Sequence, residues 1–299
     1  MKLYLLKYNM LYCVCECDEN LVIPTNDFEA YKFYEQYNFL YNKKWIAESQ
    51  NIRCGTSSDV PDNYPIIVRP IINLHGMSKG AYFLDNNNIS KVSKISDNDF
   101  WIEILKCEHI SVDVYYNDHG ILGIIAFLGV PNKLFTFKYW EYLPDYQLPV
   151  EIGKWIKRNL LGFKGVFNIE IIGGKIIECH LRIGDLNYFQ SEELTNLIIQ
   201  CHQNIDIKLP KLNKIYLIPV FVEKGKYVKL KQEDIWMCVR RSNNFDYILN
   251  YFIDPSPESV ANPLGGDRVC NLTVSDLDRG FNVKKDILDY ITSISNDLH

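Results

Sequence analysis

The sequence lacks any long uninterrupted apolar run. Its first 20 residues, MKLYLLKYNMLYCVCECDEN, are apolar only in pieces, because Lys7, Asn9 and Glu16 interrupt them, and no small-residue cleavage site follows. A membrane-spanning helix needs roughly 20 consecutive apolar residues, and a signal peptide needs a continuous apolar core before its cleavage site. We therefore expect neither a signal peptide nor a membrane-spanning helix.

Cysteines at paired spacings are also lacking. The nine cysteines are an odd number, and neither a CxxC pair nor a histidine pair at zinc spacing accompanies them. Cys13, Cys15 and Cys17 alternate with the period of a strand, which indicates one face of a strand rather than a metal site. Scattered, unpaired cysteines are typical of a reducing compartment, so the sequence predicts a cytoplasmic protein.

An excess of positive charge is the third missing feature. The chain carries 32 Lys and Arg against 37 Asp and Glu, a formal net charge of -5. Binding to a nucleic-acid backbone requires clustered basic residues, so we expect no general nucleic-acid surface. A small basic pocket for a nucleotide remains compatible with this charge.

The composition is that of a soluble globular protein. Apolar residues make up 47% and charged residues 23% of the 299 residues, which is enough for one large or two ordinary domains. No internal repeat or low-complexity linker divides the chain.

Strand-like runs and helix-like segments follow one another along the chain. A helical region at 27–50 follows a cap at Thr25 or Asn26, and NDHG at 117–120 is a hairpin signal. Strands are predicted at 64–74, 100–105, 110–116, 121–130, 133–140, 165–172, 175–183, 214–222 and 235–240, and further helices at 148–162, 191–203 and 283–295. This order predicts an α/β (α+β) fold.

One hairpin, NIEIIGGKIIECHLRIGD at 168–185, carries two glutamates, a histidine and an arginine. Glu178, His180 and Arg182 occupy alternate positions and share one face of the second strand. The other face is apolar and consists of Ile177, Cys179, Leu181 and Ile183. This alternation is compatible with a solvated face and with the lining of a cleft.

The turn of this hairpin decides whether the two glutamates meet. A tip at Gly173-Gly174-Lys175 pairs Glu170 directly with Glu178, whereas a two-residue turn would place them on opposite faces. Directly paired side chains lie roughly 5 Å apart at Cβ, close enough to share one hard cation such as Mg²⁺. Without a cation or an arginine, two carboxylates so placed repel each other.

Four stretches together resemble a known family. YPIIVRP, HGMSKG, WIEILKCEHISVDV and GVFNIEIIGGKIIECHLR follow one another within residues 63–186. Their order resembles the ATP-grasp superfamily, in which a strand ending in Lys or Arg and Pro precedes a mobile glycine-rich loop, a hinge strand, a GxEYSVDV-like strand and a hairpin with an ExNxR sequence. The resemblance implies a two-lobe fold with mainly antiparallel sheets.

The resemblance also implies a division of the chain. A short amino-terminal segment at 1–62 precedes a small lobe at 63–106 and a large lobe with the hairpin at 107–190. Residues 191–299 are then a carboxy-terminal extension that completes the large lobe.

Carried over by position, the resemblance implies a nucleotide-phosphate site. Arg69 reaches the phosphates, and Gly76, Lys79 and Gly80 belong to the loop that covers them, where glycine lets backbone N–H groups approach an anion. Lys79 also counts among the implied catalytic residues.

The base and ribose of the nucleotide have implied partners as well. Glu103, Ile104 and Leu105 are the hinge, whose backbone groups contact the adenine edge. Glu108 or His109 approaches the ribose.

The hairpin is the implied metal and catalytic element. Glu170 and Glu178 hold Mg²⁺, and Arg182 stabilises an acyl phosphate or the γ-phosphate. His180 stands where the family has an asparagine metal ligand, and its nitrogen is a softer donor than Mg²⁺ favours. His180 is therefore expected to contact phosphate, to act as an acid or base, or to mark a degenerate site.

Other features depart from the family or lie outside the match. Cys107 replaces the glycine of the GxE sequence, and about 62 residues precede the matching core, fewer than the usual amino-terminal domain. Arg240, Arg241 and Arg268 are expected to be surface charges, with binding of an anionic substrate as the alternative. Asp113 is expected to be a hydrogen-bonding residue of the fold.

The resemblance implies an ATP- and Mg²⁺-dependent ligase. Such an enzyme activates a carboxylate as an acyl phosphate for attack by an amine or similar nucleophile, and its partner is a small-molecule carboxylate or an acidic peptide. A binding or structural protein that has lost catalysis and a phosphotransferase on the same fold are the alternatives.

Overall fold

The computed structural model of the protein describes residues 4–5, 14–15, 21–76, 78–132, 136–186, 192–241, 245–254 and 266–296. The predictions for Cys13, Cys17 and the run at 133–135 lie outside these residues. Within the described ranges, the chain forms six α-helices, three short 3-10 helices and fourteen strands in three sheets. No helix in this part of the chain is both long and apolar enough to cross a membrane.

The helices and strands have the following bounds. The α-helices are α1 (Asp27–Phe33), α2 (Lys43–Glu48), α3 (Val150–Asn159), α4 (Glu192–His202), α5 (Gln232–Arg241) and α6 (Leu277–Asn296), and the 3-10 helices are Glu35–Tyr41, Asn86–Lys94 and Phe245–Tyr247. The first seven strands are β1 (Tyr4–Leu5), β2 (Val14–Cys15), β3 (Cys54–Gly55), β4 (Ile66–Pro70), β5 (Tyr82–Leu84), β6 (Asp99–Glu103) and β7 (His109–Asn117). The other seven are β8 (Gly120–Pro131), β9 (Phe137–Tyr142), β10 (Gly165–Ile172), β11 (Lys175–His180), β12 (Tyr216–Val222), β13 (Ile248–Ile253) and β14 (Asp267–Val274).

Two large sheets form the frame of the molecule. The smaller has four strands in the order β3-β6-β4-β5, and the larger has eight in the order β11-β10-β7-β8-β9-β12-β14-β13. All their strand pairs are antiparallel. The mixed helix and sheet fold with mainly antiparallel sheets is therefore confirmed, while the predicted lobe boundaries stay a prediction.

Helices pack against the eight-stranded sheet through three apolar clusters. One apolar cluster joins α3 and the amino-terminal helices to β7, β10 and β11, and a second includes residues of α4. A third joins α5 and α6 to β12 and β14. Burial of apolar area of this extent is the main favourable term in folding.

The amino-terminal helices begin as the sequence predicts. Asn26 caps α1, since its side chain accepts a hydrogen bond from Glu29 N at 3.0 Å. Glu29 also accepts from Thr25 N at 3.0 Å, which ties the residue before the cap to the first turn of the helix. Asp27 is the first residue of α1, so the cap sets its position in the structure.

The β10/β11 hairpin pairs Glu170 with Glu178, as predicted, but its turn differs from the predicted three-residue tip. Its turn has two residues, Gly173 and Gly174, with Ile172 opposite Lys175. A register shift between Glu170 and Ile171 then skips Ile177 and restores the glutamate pair. The bulge turns Ile177 toward the cavity described below, so its predicted place on the apolar core face is wrong.

The prediction of a strand at 235–240 is wrong, because these residues belong to α5. Ile235, Cys238 and Val239 are buried, and their spacing of three and four residues is that of a helix face. In the sequence, the run from Ile235 to Val239 is a short apolar stretch between charged residues, which is the usual pattern of a short strand. In the structure, part of this run is the buried face of a helix. Strands β13 and β14 were not predicted; all eight positions of β14 are buried, so it shows no polar-apolar alternation.

Candidate functional site

A cavity of about 210 Å³ lies between the two large sheets. Ile67 and Arg69 line it from the four-stranded sheet, and Gly76, Ser78 and Ala81 line it from the loop between β4 and β5. The eight-stranded sheet supplies most of the other wall: His109, Ser111, Phe137, Trp140, Asn168, Glu170, Ile172, Ile177, Glu178, His180, Leu217, Pro219, Phe221, Arg268 and Asn271. Arg182, Asp185 and Leu186, which follow β11, complete one end.

Glu178 is the centre of an ion-pair network at this cavity. Its Oε1 contacts Lys43 Nζ at 2.9 Å and accepts a hydrogen bond from Arg69 Nη2. Its Oε2 lies 3.2 Å from His180 Nε2. All four side chains are buried, so these contacts form where water competes little with them. Two cations therefore offset the charge of this carboxylate.

His180 bridges two buried carboxylates. Its Nδ1 lies 3.1 Å from both oxygens of Asp27, and its Nε2 faces Glu178. Arg182 continues the chain of contacts: its Nη2 donates to Asp27 Oδ2 at 2.8 Å and to Asp185 Oδ2 at 3.1 Å. Its Nη1 donates to the carbonyl of Ile183 at 2.9 Å and pairs with Asp185 Oδ1 at 3.0 Å.

Asp27 holds this network from the amino-terminal end of α1. Burial alone would raise the pKa of its carboxyl, but the adjacent Arg182 and His180 outweigh burial and lower it. Tyr41 donates its hydroxyl to Asp27 Oδ1 at 3.3 Å, and burial raises the pKa of that hydroxyl. Asp27 is therefore charged and anchored at neutral pH.

Lys43 and Arg69 are buried cations on the other side of Glu178. Burial and the neighbouring charge of Arg69 lower the pKa of Lys43, while Glu170 and Asp27 oppose that shift. Burial lowers the pKa of Arg69 to about 10, against the opposing charge of Glu170. Lys43 reaches this position because its backbone N–H donates to the carbonyl of Ile71, just after β4, at 2.8 Å.

Glu170 lies opposite Glu178 and has a partner of its own. His109 Nε2 lies 2.9 Å from Glu170 Oε2. Burial raises the pKa of Glu170, but the hydrogen bond with His109 and the charges of His109, His180 and Lys43 bring it down to about 2. The repulsion predicted for an isolated pair of glutamates is thus offset by the cations around them.

The loop between β4 and β5 is held from within by Asn73. Its Nδ2 donates to the carbonyl of Gly76 at 3.1 Å and to that of Lys79 at 3.4 Å, and its Oδ1 accepts from His75 N at 3.0 Å. Gly76 and Gly80 have φ of 66° and 82°, in the left-handed region that favours glycine. Gly76 lines the cavity, whereas the side chain of Lys79 is exposed on the loop.

A second buried ion pair includes another arginine that lines the cavity. Arg268 on β14 donates from Nε to Asp254 Oδ2 and from Nη2 to Asp254 Oδ1, both at 2.8 Å. Burial raises the pKa of Asp254, although Arg268 opposes this rise. Arg268 was expected to be a surface charge, and that expectation is wrong because β14 is an interior strand of the sheet. Arg240 and Arg241 are exposed at the end of α5, as expected.

Apart from His109, the implied hinge and ribose residues lie outside the cavity lining. Glu103 pairs with Arg53, whose Nε lies 3.1 Å from Glu103 Oε2. Leu105 packs against a small apolar cluster at one end of the four-stranded sheet. Glu108 is exposed and, with His109, lines an open groove that adjoins the cavity through Phe137.

Among the predicted site residues, the structure therefore brings Arg69, Gly76, His109, Glu170, Glu178, His180 and Arg182 to one cavity. It leaves Lys79, Gly80, Glu103, Leu105 and Glu108 outside its lining. The roles assigned to all of them stay predictions.

The sequence did not reveal several residues of the network. Asp27 and Lys43 precede the matching stretches and have the pattern of ordinary helix residues, while Asp185, Asp254 and Asn271 follow them. The position of Asp27 in a capped first helical turn was visible in the sequence, but its partner lies 155 residues away. The prediction for Asp113 is confirmed, because its Oδ1 accepts from Asn168 Nδ2 at 2.9 Å and from Gly184 N at 2.8 Å.

No family model and no curated protein matches the sequence. Solved structures do match the fold. N5-carboxyaminoimidazole synthetase from Staphylococcus aureus, complexed with ADP, matches with a TM-score of 0.59 over 85% of this chain and 73% of that chain, at 11% identity. L-amino acid ligase from Bacillus licheniformis matches with a TM-score of 0.55 over 84% and 71%, at 12% identity.

A third match is N5-carboxyaminoimidazole synthase from Aspergillus clavatus in complex with ADP and 5-aminoimidazole ribonucleotide. Its TM-score is 0.54 over 90% of this chain and 76% of that chain, at 12% identity. These structures have the ATP-grasp fold, and so does this chain. The fold predicted from the four sequence stretches is confirmed.

Proposed function

We propose that this protein binds ATP with Mg²⁺ between its two large sheets and uses it to activate a carboxylate as an acyl phosphate. The observation that carries the proposal is the cavity between the sheets of an ATP-grasp fold, where Arg69, Glu170, Glu178 and the Gly76 turn converge. An amine or a similar nucleophile would then receive the acyl group.

The phosphates of ATP would lie beside Arg69. This guanidinium is buried, lines the cavity and now donates to Glu178, so phosphate oxygens compete with that carboxylate for it. The Gly76 turn borders the same space, and its backbone can approach an anion closely. Lys79, exposed on this loop, is the covering lysine of the proposal.

The donor set beside the phosphates fits a hard divalent cation. Glu170 and Glu178 are carboxylates opposite each other on neighbouring strands, and both line the cavity. Mg²⁺ commonly uses one or two carboxylates together with substrate phosphates and keeps several waters, so the pair suffices without a third protein ligand. Within the described residues, no group of three or more His, Cys, Asp and Glu is arranged to hold a metal ion. When bound, Mg²⁺ supplies charge neutralisation on the phosphoryl group.

The reaction would proceed in two steps. A carboxylate oxygen of the substrate forms a bond to the γ-phosphorus, the bond from that phosphorus to the bridging oxygen breaks, and ADP leaves with the electron pair. The nucleophile then attacks the acyl carbon and loses a proton, and inorganic phosphate leaves. Arg69 offsets charge on the phosphates, and the buried walls of the cavity exclude water that would hydrolyse the acyl phosphate.

The matched proteins support this class of chemistry. The Staphylococcus aureus synthetase is complexed with ADP, and the Bacillus licheniformis protein is an L-amino acid ligase. The Aspergillus clavatus synthase holds ADP together with a second small molecule. These properties belong to those proteins; for this chain they favour a nucleotide-dependent ligase among the functions that the fold supports.

A binding protein without catalysis is the second candidate. Both oxygens of Glu178 are engaged by Lys43, Arg69 and His180, so a metal would compete with groups of the protein itself. His180 also replaces the asparagine expected at this position. Such a protein would bind ATP without cleaving it.

The release of ADP separates the two candidates. The protein is incubated with Mg-ATP and pooled carboxylate and amine metabolites, and ADP is measured together with the ligation product. A ligase releases ADP only when a carboxylate is present, and its product carries no phosphate. Binding of ATP without ADP release from any pool would favour the binding protein, and a phosphorylated product would indicate a phosphotransferase.

A further inference from the structure

Arg268 has one side of its guanidinium occupied and the other available. Its Nε and Nη2 donate to the two oxygens of Asp254 at 2.8 Å, while Nη1 has no hydrogen-bond partner among the described residues. Arg268 is only 8% exposed and lines the cavity. Nη1 is therefore the nitrogen of this guanidinium that a ligand in the cavity could engage.

The other arginine at this end is already saturated. Both terminal nitrogens of Arg182 are engaged, by Asp27, by Asp185 and by the carbonyl of Ile183, and its Nε is enclosed. An anion arriving at this end would have to displace the buried Asp27 or the half-buried Asp185 to bind Arg182. Arg268 offers its Nη1 donors without such a displacement.

The side chains near Arg268 indicate what kind of ligand would fit beside it. On neighbouring β12, three apolar side chains line the cavity: Leu217, Pro219 and Phe221. Asn271, on the same strand as Arg268, also lines it and donates to the carbonyl of Asp185 at 3.5 Å. One guanidinium beside an apolar wall is complementary to a compact apolar acid, because a guanidinium binds carboxylates through directed, charge-assisted hydrogen bonds.

We propose that Arg268 binds the carboxylate of the substrate that is to be activated, and that this substrate is a small carboxylic acid with a compact apolar body. Asp254 holds the guanidinium plane in place and leaves Nη1 for the ligand. The same cavity contains Arg69, Glu170 and Glu178, so the bound acid shares one space with the proposed phosphate site. This inference rests on the proposed function.

The test measures binding of simple acids to the nucleotide-loaded protein. The full chain is saturated with Mg²⁺ and a non-hydrolysable ATP analogue, AMP-PNP, so that the proposed phosphate site is filled. Propionate, isovalerate and benzoate are then titrated by ligand-observed NMR, with propionamide, isovaleramide and benzamide as matched neutral probes. We expect at least one acid to bind, and its amide to bind at least tenfold more weakly.

The variants remove the buried pair as a unit, because Arg268→Gln alone leaves Asp254 without a counter-charge. The double variant Arg268→Gln with Asp254→Asn should weaken binding of the acid at least tenfold. Arg268→Lys keeps a cation beside Asp254 but removes the planar fork, and it should weaken binding as well even if the double variant does not fold. Arg240→Gln, at an exposed arginine of α5, should leave binding unchanged.

Three results would overturn the assignment of Arg268 while the proposed nucleotide site stands: the loaded protein binds none of the acids, the amides bind as tightly as the acids, or the folded Arg268 variants bind the acid like the wild type. Failure to bind Mg-AMP-PNP at all would instead contradict the proposed function itself and overturn this inference with it.

Discussion

At the scale of single residues, Glu178 is the side chain on which the charges of the cavity converge. Lys43 and Arg69 contact one of its oxygens, and His180 lies beside the other. Removing one partner of a buried ion pair leaves the other as an uncompensated charge, so Glu178 and its two basic partners depend on one another. The network is thus a structural element of the site before any ligand binds.

Replacing Glu178 tests this dependence. Glu178→Gln keeps the size of the side chain but leaves two buried cations without their carboxylate, so the free energy of unfolding should fall by about 3 kcal/mol. Urea denaturation measures the change. Glu151→Gln is the control, since Glu151 pairs with Lys154 at 2.7 Å with both side chains exposed, and its loss should change the free energy by at most about 0.5 kcal/mol. Equal, small effects for both variants would mean that the buried network contributes nothing to stability.

A second single residue, His202, should make the stability of the fold depend on pH. Burial lowers the pKa of His202 from its usual 6.5 to about 4. Between these two pH values the unfolded chain binds a proton that the folded protein does not, so the free energy of unfolding should fall as the pH is lowered from 6.5 to 4. His202→Asn should flatten this part of the pH profile in urea denaturation. The exposed His119→Asn is the control; if it flattened the profile equally, the fall would not originate at His202.

At the scale of elements, the β10/β11 hairpin shows how a turn and a bulge together set the register. Gly173 and Gly174 have φ of 58° and 73°, which a tight two-residue turn requires and glycine adopts without strain. The bulge after Glu170 then returns the two glutamates to opposite positions. Both features are needed for Glu170 and Glu178 to line one cavity.

The same substitution should have opposite effects at two glycines. Gly174→Ala should lower the free energy of unfolding by about 1 kcal/mol, because alanine is strained at positive φ although nothing lies within 4 Å of the added Cβ. Gly153→Ala, in the middle of α3 with equally open space, should raise it by about 1 kcal/mol through helix propensity. Urea denaturation of both variants makes the comparison. A fall for Gly153→Ala, or no change for Gly174→Ala, would contradict this account of the two backbones.

Elements with local signals could be predicted from the sequence. The Asn26 cap indicated α1, and the alternation around Glu178 indicated β11. Helix α5 was mistaken for a strand because its apolar residues form one short run, and β14 was missed because an interior strand buried on both faces shows no alternation. Local patterns therefore predicted the hairpin of the candidate site but missed one wall of its cavity.

At the scale of the whole molecule, the candidate site is a product of tertiary contacts. Asp27 meets Arg182 over 155 residues, and Arg69 meets Glu178 over 109 residues. No local pattern encodes such pairs, so the sequence predicted residues of the hairpin but missed Asp27, Lys43 and the burial of Arg268. The resemblance to ATP-grasp proteins supplied the fold because it depends on the order of several stretches rather than on one.

The central claim is that Mg-ATP binds in the cavity between the two large sheets. A ligand that binds only the folded state stabilises it by about 2.7 kcal/mol at a hundredfold excess over its dissociation constant. The decisive measurement is the free energy of unfolding of the wild-type chain, by urea denaturation, with and without Mg-ATP. We expect the free energy of unfolding to rise by about 2.7 kcal/mol when Mg-ATP is present at a hundredfold excess over its dissociation constant. The absence of any change with ATP, GTP or ADP at millimolar concentration would contradict the claim.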